Sequence, residues 1–245
     1  MRGTSEDDRR VFRIGGLAAI AGALLGMVGN LINSATPIDD PEGAARVIAE
    51  SEIWVPVHLA ILLGIALMLG GLVAIRHSIP HGRPGALGRF GLAAAVTGAA
   101  IGFVLVILEG VAAPQLAQEW AAASPGERDV ALGLVHANET IDFALVSAFN
   151  FVFGGPTFIL FGLAVALGDG YPRWLGWVAA AGGVLSLFAG TIQAAVGEPT
   201  EAFRILTIIG PTVITLWLLG MGILLLRKAR EAEVRAVRLE ASGTA

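Results

Sequence analysis

The sequence predicts an all-α integral membrane protein built as a bundle of six membrane-spanning helices. Apolar stretches of sufficient length recur six times in the 245 residues, and about 20 apolar residues in a helix span the hydrocarbon core of a bilayer. Hydrophobic residues make up 55% of the chain and charged residues 15%, whereas soluble domains average about 25% charged residues. The basic residues also concentrate in alternate loops, as the positive-inside rule requires.

The predicted spans are separated by short polar segments, and they cover residues 12–33, 53–76, 88–112, 141–167, 174–196 and 204–227. We therefore expect one transmembrane domain over residues 12–227, preceded by a polar N-terminal segment over residues 1–11. Residues 228–245 form a tail whose charges alternate at helical spacing. This pattern predicts a helical extension of the last span.

The basic residues predict the orientation of the spans. Of the 16 Lys and Arg residues, thirteen lie in, or at the span ends bordering, the N-terminal segment, the second and fourth loops and the tail, and three lie in, or at the span ends bordering, the remaining loops. Cytoplasmic loops carry an excess of Lys and Arg, so both termini are predicted to be cytoplasmic. The composition, rich in Arg, Ala and Gly, is typical of a bacterial protein and predicts a multi-pass protein of the bacterial cytoplasmic membrane.

Local signals predict further features along the chain. In the first outer loop, Asp40 followed by Pro41 predicts a short helix with a side-chain cap. In the third loop, the capping box 124–127 predicts a helix that runs into the fourth span. Pro156 and Pro211 predict kinks in the fourth and sixth spans, because proline removes a backbone hydrogen bond from a helix.

The odd-numbered spans resemble one another. Each begins with an Arg and a run rich in Gly and Ala, and each carries a polar residue twenty positions later: Arg13 and Asn33, Arg89 and Glu109, Arg173 and Gln193. This spacing predicts three helical hairpins in parallel orientation. The alternative is that apolar helices with basic flanks share a composition without sharing an origin.

Small residues spaced four apart form faces on the odd-numbered spans: Gly22 and Gly26, Gly98 and Gly102, Ser186 and Gly190. Small residues allow membrane helices to approach closely. We expect these faces to pack within the bundle, with an oligomer interface as the alternative.

The five Trp residues divide by depth. Four lie near the predicted membrane interfaces, where aromatic side chains anchor helices: Trp54, Trp120, Trp174 and Trp177. Trp217 lies deeper and is expected to pack inside the bundle.

Polar residues from five predicted spans fall in one layer near the outer side of the membrane. Ionisable groups in hydrocarbon cost several kcal/mol, so they should face the bundle interior and pair. On the fourth span, a helical stripe joins several of them. The resulting candidate site comprises Asn33, His58, Glu109, His136, Glu139, Asp142, Asn150 and Gln193.

Several functions are compatible with these residues. One is a hydrogen-bonded network that ties the helices together, in a structural protein whose packing faces recruit a partner subunit. Another is a pocket, open to the outside, that binds or transports a small, amphipathic ligand. A third is an enzyme or redox protein, in which His58, His136 and Glu109 hold zinc with Glu139 as the base, or two histidines bind haem. No His-Glu-x-x-His motif supports a metal.

The sequence excludes other classes. Without Cys, the chain forms no disulfide, thiolate metal site or cysteine nucleophile. It has no glycine-rich phosphate loop and no basic patch suited to nucleic acid. The basic tail is expected to meet anionic lipid headgroups.

Four short motifs support a family resemblance: Trp54-Val-Pro-Val-His58-Leu-Ala60, Gly70-Gly71-Leu72, Leu108-Glu109-Gly110 and Pro172-Arg173-Trp174-Leu175-Gly176-Trp177. Together they resemble a group of uncharacterised actinobacterial six-span membrane proteins that share a domain of unknown function. The resemblance covers nearly the whole chain. It implies six spans and a role for the regions around His58 and Glu109, and it implies no reaction.

Overall fold

The computed structural model describes residues 6–33, 36–37, 40–197 and 201–241. All regular structure in these ranges is helical. The α-helices are α1 Glu6–Ile32, α2 Pro41–Glu50, α3 Trp54–Ser78, α4 Arg83–Ile107, α5 Ala113–Ala122, α6 Arg128–Phe149, α7 Phe158–Ala166, α8 Arg173–Val196 and α9 Glu201–Ala241. Two π-helical segments, Leu108–Ala112 and Asn150–Thr157, join α4 to α5 and α6 to α7 without a break.

Six helical stretches are long and apolar enough to cross a membrane, which confirms the predicted fold class. They are Glu6–Ile32, Trp54–Ser78, Arg83–Ala122, Arg128–Ala166, Arg173–Val196 and Ile205–Val234. The protein is therefore a multi-pass, six-helix membrane bundle. An even number of spans places its two ends on the same side of the membrane.

The six spans form a closed ring. Each span packs against the next one along the chain, and α9 returns to pack along α1. Large apolar side chains fill the interior, among them Leu72, Phe158, Phe161 and Trp217, all with at most 2% of their surface exposed. Trp217 therefore packs inside the bundle, as its depth predicts.

The predicted small-residue faces lie within the ring. A Cβ atom on Gly22 would meet the backbone of α3 at Met68, and one on Gly98 would meet Phe153. Gly190 lies against Phe151 and the carbonyl of Ser147. These faces bring neighbouring spans close together, and an oligomer interface stays a prediction.

Part of the chain projects beyond the membrane on the side opposite the termini. The continuous helix Arg83–Ala122 has 40 residues, about 60 Å at 1.5 Å per residue, which is about twice the hydrocarbon thickness. Its end, α5, packs with α2 and with the beginning of α6. We call these three elements the cap. Its core contains Ala45, Ile48, Ala117, Trp120 and Val135.

The Asp40 signal acts as the sequence predicts, but the predicted capping box does not form, because the N-cap of α6 is Glu127 and no side chain caps it. The Asp40 carboxylate accepts a hydrogen bond of 2.9 Å from the Gly43 backbone N–H, and Pro41 occupies the first turn of α2. In the third loop, the Ser124 hydroxyl donates to the Glu127 carboxylate at 2.6 Å. Helix α6 begins at the next residue and runs into the membrane.

Two Trp residues are not interface anchors, so that prediction is wrong for them. Trp54 and Trp120 are only 4% and 2% exposed, because the cap covers both side chains. Projection of α5 beyond the membrane carries Trp120 out of the interfacial layer. Trp174 and Trp177 are 63% and 58% exposed, as anchors of an aromatic belt would be.

Candidate functional site

The candidate site lies where the cap meets the bundle. His58 comes from the second turn of α3, Glu109 from the first π-helical segment, and Glu139 and Asp142 from α6. Asp142 is close enough to His58, Glu109 and Glu139 for their charges to interact. We call these four residues the His58 cluster. Three elements that are far apart in sequence thus bring their ionisable groups together.

His58 is the most buried member, with 1% of its surface exposed. Its Nδ1 lies 2.8 Å from the Trp54 backbone carbonyl oxygen, one turn earlier in α3. The Trp54 and His58 rings stack with centroids 4.9 Å apart. Since a carbonyl oxygen only accepts hydrogen bonds, Nδ1 carries a hydrogen and Nε2 points away from α3. Nε2 lies 3.5 Å from Glu109 Oε1, a longer separation than a good hydrogen bond.

The π-helical segment positions Glu109. The Ala113 N–H donates to the carbonyl of Leu108, five residues back. In the same register the Glu109 carbonyl would accept from residue 114, which is a proline and has no N–H. The Trp54 indole N–H donates to this carbonyl instead, at 2.8 Å. Trp54 therefore holds both His58 and the backbone of Glu109.

Gly110 permits this close approach. A Cβ atom at position 110 would overlap the His58 side chain. The π-helical segment therefore lies directly against His58, and only glycine fits at the contact.

One of the two carboxylate oxygens of Asp142 has a hydrogen-bond partner among the described residues. Its Oδ2 accepts a hydrogen bond of 2.9 Å from the Asn138 amide. Its Oδ1, like His58 Nε2, is buried and has no hydrogen-bond partner within the described part of the chain. Most buried polar atoms in proteins are hydrogen-bonded, so two unpartnered atoms in one cluster indicate a place where something else binds.

His136 does not join the cluster. Its side chain is 69% exposed, and its Nδ1 lies 3.8 Å from Glu139 Oε2, one turn along α6. Across residues 6–33, 36–37, 40–197 and 201–241, no group of three His, Asp or Glu side chains is arranged to hold a metal ion. The zinc and haem interpretations, with His58, His136 and Glu109 as ligands, stay predictions from residue type.

Asn150 and Gln193 serve a different purpose from the His58 cluster. They belong to a ladder of hydrogen bonds between α8 and the helix that faces it. The rungs are Gln193 Nε2 to the Phe143 carbonyl at 2.9 Å, Ser147 Oγ to the Gly190 carbonyl at 2.6 Å, and Ser186 Oγ to Asn150 Oδ1 at 3.4 Å. This ladder fixes the register of two antiparallel helices, which is the structural role that the network interpretation describes.

Asn33 is the last of the predicted site residues. It follows α1 on the cap side, where its backbone N–H donates to the Gly29 carbonyl at 2.9 Å. Its side-chain oxygen is buried without a partner among the described residues.

The sequence interpretation missed three residues that shape the site: Trp54, Pro114 and Asn138. A signal for Trp54 exists, because it precedes His58 by four residues and so shares its helical face. Pro114 lies five residues after Glu109, the spacing at which a proline leaves a π-helical carbonyl without a donor.

No protein-family model matches the chain, and comparisons with curated proteins and with solved structures give no match.

Proposed function

We propose that this multi-pass membrane protein binds a small polar ligand at the His58 cluster, on the extracytoplasmic side of a bacterial cytoplasmic membrane. The observation that carries the proposal is that the His58 cluster holds two polar atoms, His58 Nε2 and Asp142 Oδ1, that are buried and have no hydrogen-bond partner among the described residues, with His58 Nε2 3.5 Å from the Glu109 carboxylate. Leaving such atoms unsatisfied costs about 1–3 kcal/mol each. A ligand that hydrogen-bonds to both recovers that free energy.

The position of Glu109 supports access from outside. It lies twenty residues beyond Arg89 on one continuous helix, about 30 Å along the axis. Glu109 is therefore at the far edge of the hydrocarbon, where the cap begins. Its side chain is 36% exposed, so a ligand can reach the carboxylate without crossing the bundle.

The packing of the bundle interior favours a binding site rather than an open passage through the bundle. Toward the terminal side, aromatic rings follow one another: Phe149 stacks on Phe153 with centroids 4.9 Å apart, and Phe158 meets Phe153 at 5.9 Å and Trp217 at 5.8 Å. Phe158 and Trp217 are almost completely buried. In this conformation, a polar ligand at the His58 cluster meets a wall of packed apolar side chains.

The test is ligand-induced thermal stabilisation of the full-length protein in detergent, screened with amines, amino acids, carboxylates and sugars. We expect at least one class to raise the Tm of the wild-type protein, and we expect Glu109→Gln and Asp142→Asn to abolish the shift. Both changes keep the shape of the side chain and remove its charge. Glu119→Gln, on the exposed face of α5, is the matched control and should keep the shift. Equal shifts in all four proteins would overturn the proposal.

Transport is a second candidate, favoured by the π-helical segment Asn150–Thr157. This segment carries Phe153 of the aromatic wall and contains Pro156, which leaves the Val152 carbonyl without its α-helical donor. The Thr157 hydroxyl donates to that carbonyl at 3.4 Å, a weak replacement. Segments of this kind can act as hinges. Uptake of the stabilising ligand into proteoliposomes would establish transport, and binding without uptake would leave a binding protein.

A further inference from the structure

The His58 cluster also indicates what kind of ligand it takes and what the ligand displaces. The inference rests on the proposed function above, and it concerns a proton shared by His58 and Glu109. Because Nδ1 of His58 donates to the Trp54 carbonyl, a neutral His58 presents the lone pair of Nε2 to Glu109. A lone pair and an ionised carboxylate 3.5 Å apart repel each other. The pair is therefore stable only when one proton lies on Nε2 or on the carboxyl group.

The charges around this pair are acidic. Asp142 from α6 is close enough for its charge to act on both members of the pair, and Glu139, also from α6, acts in turn on Asp142. The ion pairs of these carboxylates are with histidines, Glu109 with His58 and Glu139 with His136. No Lys or Arg forms a salt bridge with any of them in the described ranges. Besides the pair, the cluster therefore holds two further carboxyl groups, those of Glu139 and Asp142.

The unpartnered atoms are hydrogen-bond acceptors. Among the described residues, Asp142 Oδ1 has no donor, and the contact of the Glu109 carboxylate is the long one to His58. When the pair loses its proton, Nε2 becomes a third acceptor. Three acceptors and a negative charge match a primary ammonium group, which has three N–H donors and one positive charge. A bare metal ion fits less well, because the described side chains form no metal-binding group of three.

We propose that the ligand is a small primary alkylammonium ion, held by Glu109 and Asp142, and that its binding releases the proton shared by His58 and Glu109. The ammonium N–H groups form hydrogen bonds to Glu109, to Asp142 and to the freed lone pair of His58 Nε2. The proton leaves to solvent. One positive charge enters as another leaves, so the exchange keeps the charge of the site constant and needs no other reactant.

The exchange makes affinity depend on pH. Below the pH at which the pair loses its proton, the Kd for the ammonium ion should fall about tenfold per pH unit as pH rises, because one proton leaves for each ligand bound. Above that pH the Kd should level off. A ligand that bound without displacing a proton would show no such slope.

The experiment is isothermal titration calorimetry of the full-length protein in detergent with propylammonium chloride, in phosphate and in HEPES buffers at one pH below that at which the Kd levels off. The two buffers differ in ionisation enthalpy, so the difference in measured heat counts the protons released. We expect about one proton per ligand for the wild-type protein and for Glu119→Gln. His58→Gln should bind with little proton release, and Glu109→Gln should not bind. Size-exclusion profiles and circular dichroism identify any variant that fails to fold.

Four results would overturn the inference. Binding of propylammonium to the wild-type protein with no proton release would remove the exchange. Equal stabilisation by sodium or potassium chloride would make the ligand an inorganic cation. If another compound class stabilises the protein in a way that Glu109→Gln abolishes, while propylammonium does not bind, the inference fails and the proposed function stands. If no class does so, both fail.

Discussion

Gly110 is the residue that most directly limits the geometry of the His58 cluster. Its missing side chain lets the π-helical segment touch His58, whose Nε2 then reaches toward Glu109. Replacing a residue in such a contact forces either the helix or the imidazole to move. The cluster thus depends on a residue that has no functional group of its own.

We expect Gly110→Ala to destabilise the protein by about 1–3 kcal/mol, the usual cost of overpacking, and to weaken ligand binding because His58 is displaced. The matched control is Gly133→Ala on α6, where a Cβ atom would meet nothing within 4 Å. That change should stabilise the helix by about 0.5–1 kcal/mol. Thermal melts of both variants in the same detergent give the comparison. Equal melting temperatures would contradict the packing described for Gly110.

Tyr171 offers a second test at the residue scale, because it is the only tyrosine in the chain. It lies in the connection between α7 and α8, its hydroxyl is 2.5 Å from Ser78 Oγ, and the Lys228 ammonium lies 3.7 Å from its ring centroid. Burial of the phenol raises the pKa of Tyr171 to about 12.

Spectrophotometric titration at high pH measures the ionisation of the Tyr171 phenol, because the chain has no other tyrosine. We expect the folded protein to ionise Tyr171 with a midpoint well above the ordinary value of about 10, and the denatured protein to return to that value. The sign follows from the raised pKa: the neutral phenol contributes stability below about pH 10, and this contribution is lost as pH rises through about 12. A folded-state midpoint at the ordinary value would place Tyr171 in solvent.

At the scale of helices, a side chain replaces a backbone hydrogen-bond donor in each of the two π-helical segments. Pro114 follows the first segment and Pro156 lies within the second, and in each a side chain donates to a carbonyl from which proline removes a donor, the π-helical donor of Glu109 or the α-helical donor of Val152. The donor is the Trp54 indole for Glu109 and the Thr157 hydroxyl for Val152. Breaks in membrane helices are tolerated where neighbouring groups satisfy the freed backbone.

The indole is the stronger donor of the two by distance, so its removal should be costly. We expect Trp54→Phe to keep most of the packing, to leave the buried Glu109 carbonyl without its donor, and to destabilise the protein by about 1–3 kcal/mol. Trp174→Phe, at a side chain 63% exposed, is the matched control and should change stability little. If the two variants melt alike, the hydrogen bond to Glu109 has no energetic role.

These segments also show where sequence interpretation reaches its limit. Hydropathy and length suffice to place six spans, and the Asp40–Pro41 signal suffices for α2. The stripe that joined Asn150 to His136 assumed 100° per residue along the fourth span. Helix α6 is regular up to Phe149, so this phase holds as far as Asn150. The two residues nevertheless have different surroundings, because Asn150 contacts Ser186 of α8 whereas His136 is exposed on the cap. Which face of an apolar helix meets which neighbour depends on packing, and periodicity does not encode it.

At the scale of the molecule, the ring explains why a polar cluster forms on the cap side. Small residues let the spans pack tightly along the ring, as where Gly162 meets the backbone of Ala180. The interior toward the terminal side is then filled by side chains such as Phe158 and Trp217. At the other end, α2, α5 and the beginning of α6 form the cap, and Glu109 stays partly exposed there.

The His58 cluster can bind an external ligand only if the cap faces outward, and the distribution of Arg and Lys predicts this orientation. The chain has no cysteine. A single introduced cysteine is therefore the one site in the protein that a maleimide can label, and its labelling shows on which side of the membrane it lies. We expect Gly126→Cys, in the open loop before α6, to react with a membrane-impermeant maleimide in intact cells. His81→Cys, in the exposed loop between α3 and α4, should react only after the membrane is broken. The reverse pattern would place the His58 cluster on the cytoplasmic side, and its ligand would then be a cytoplasmic amine.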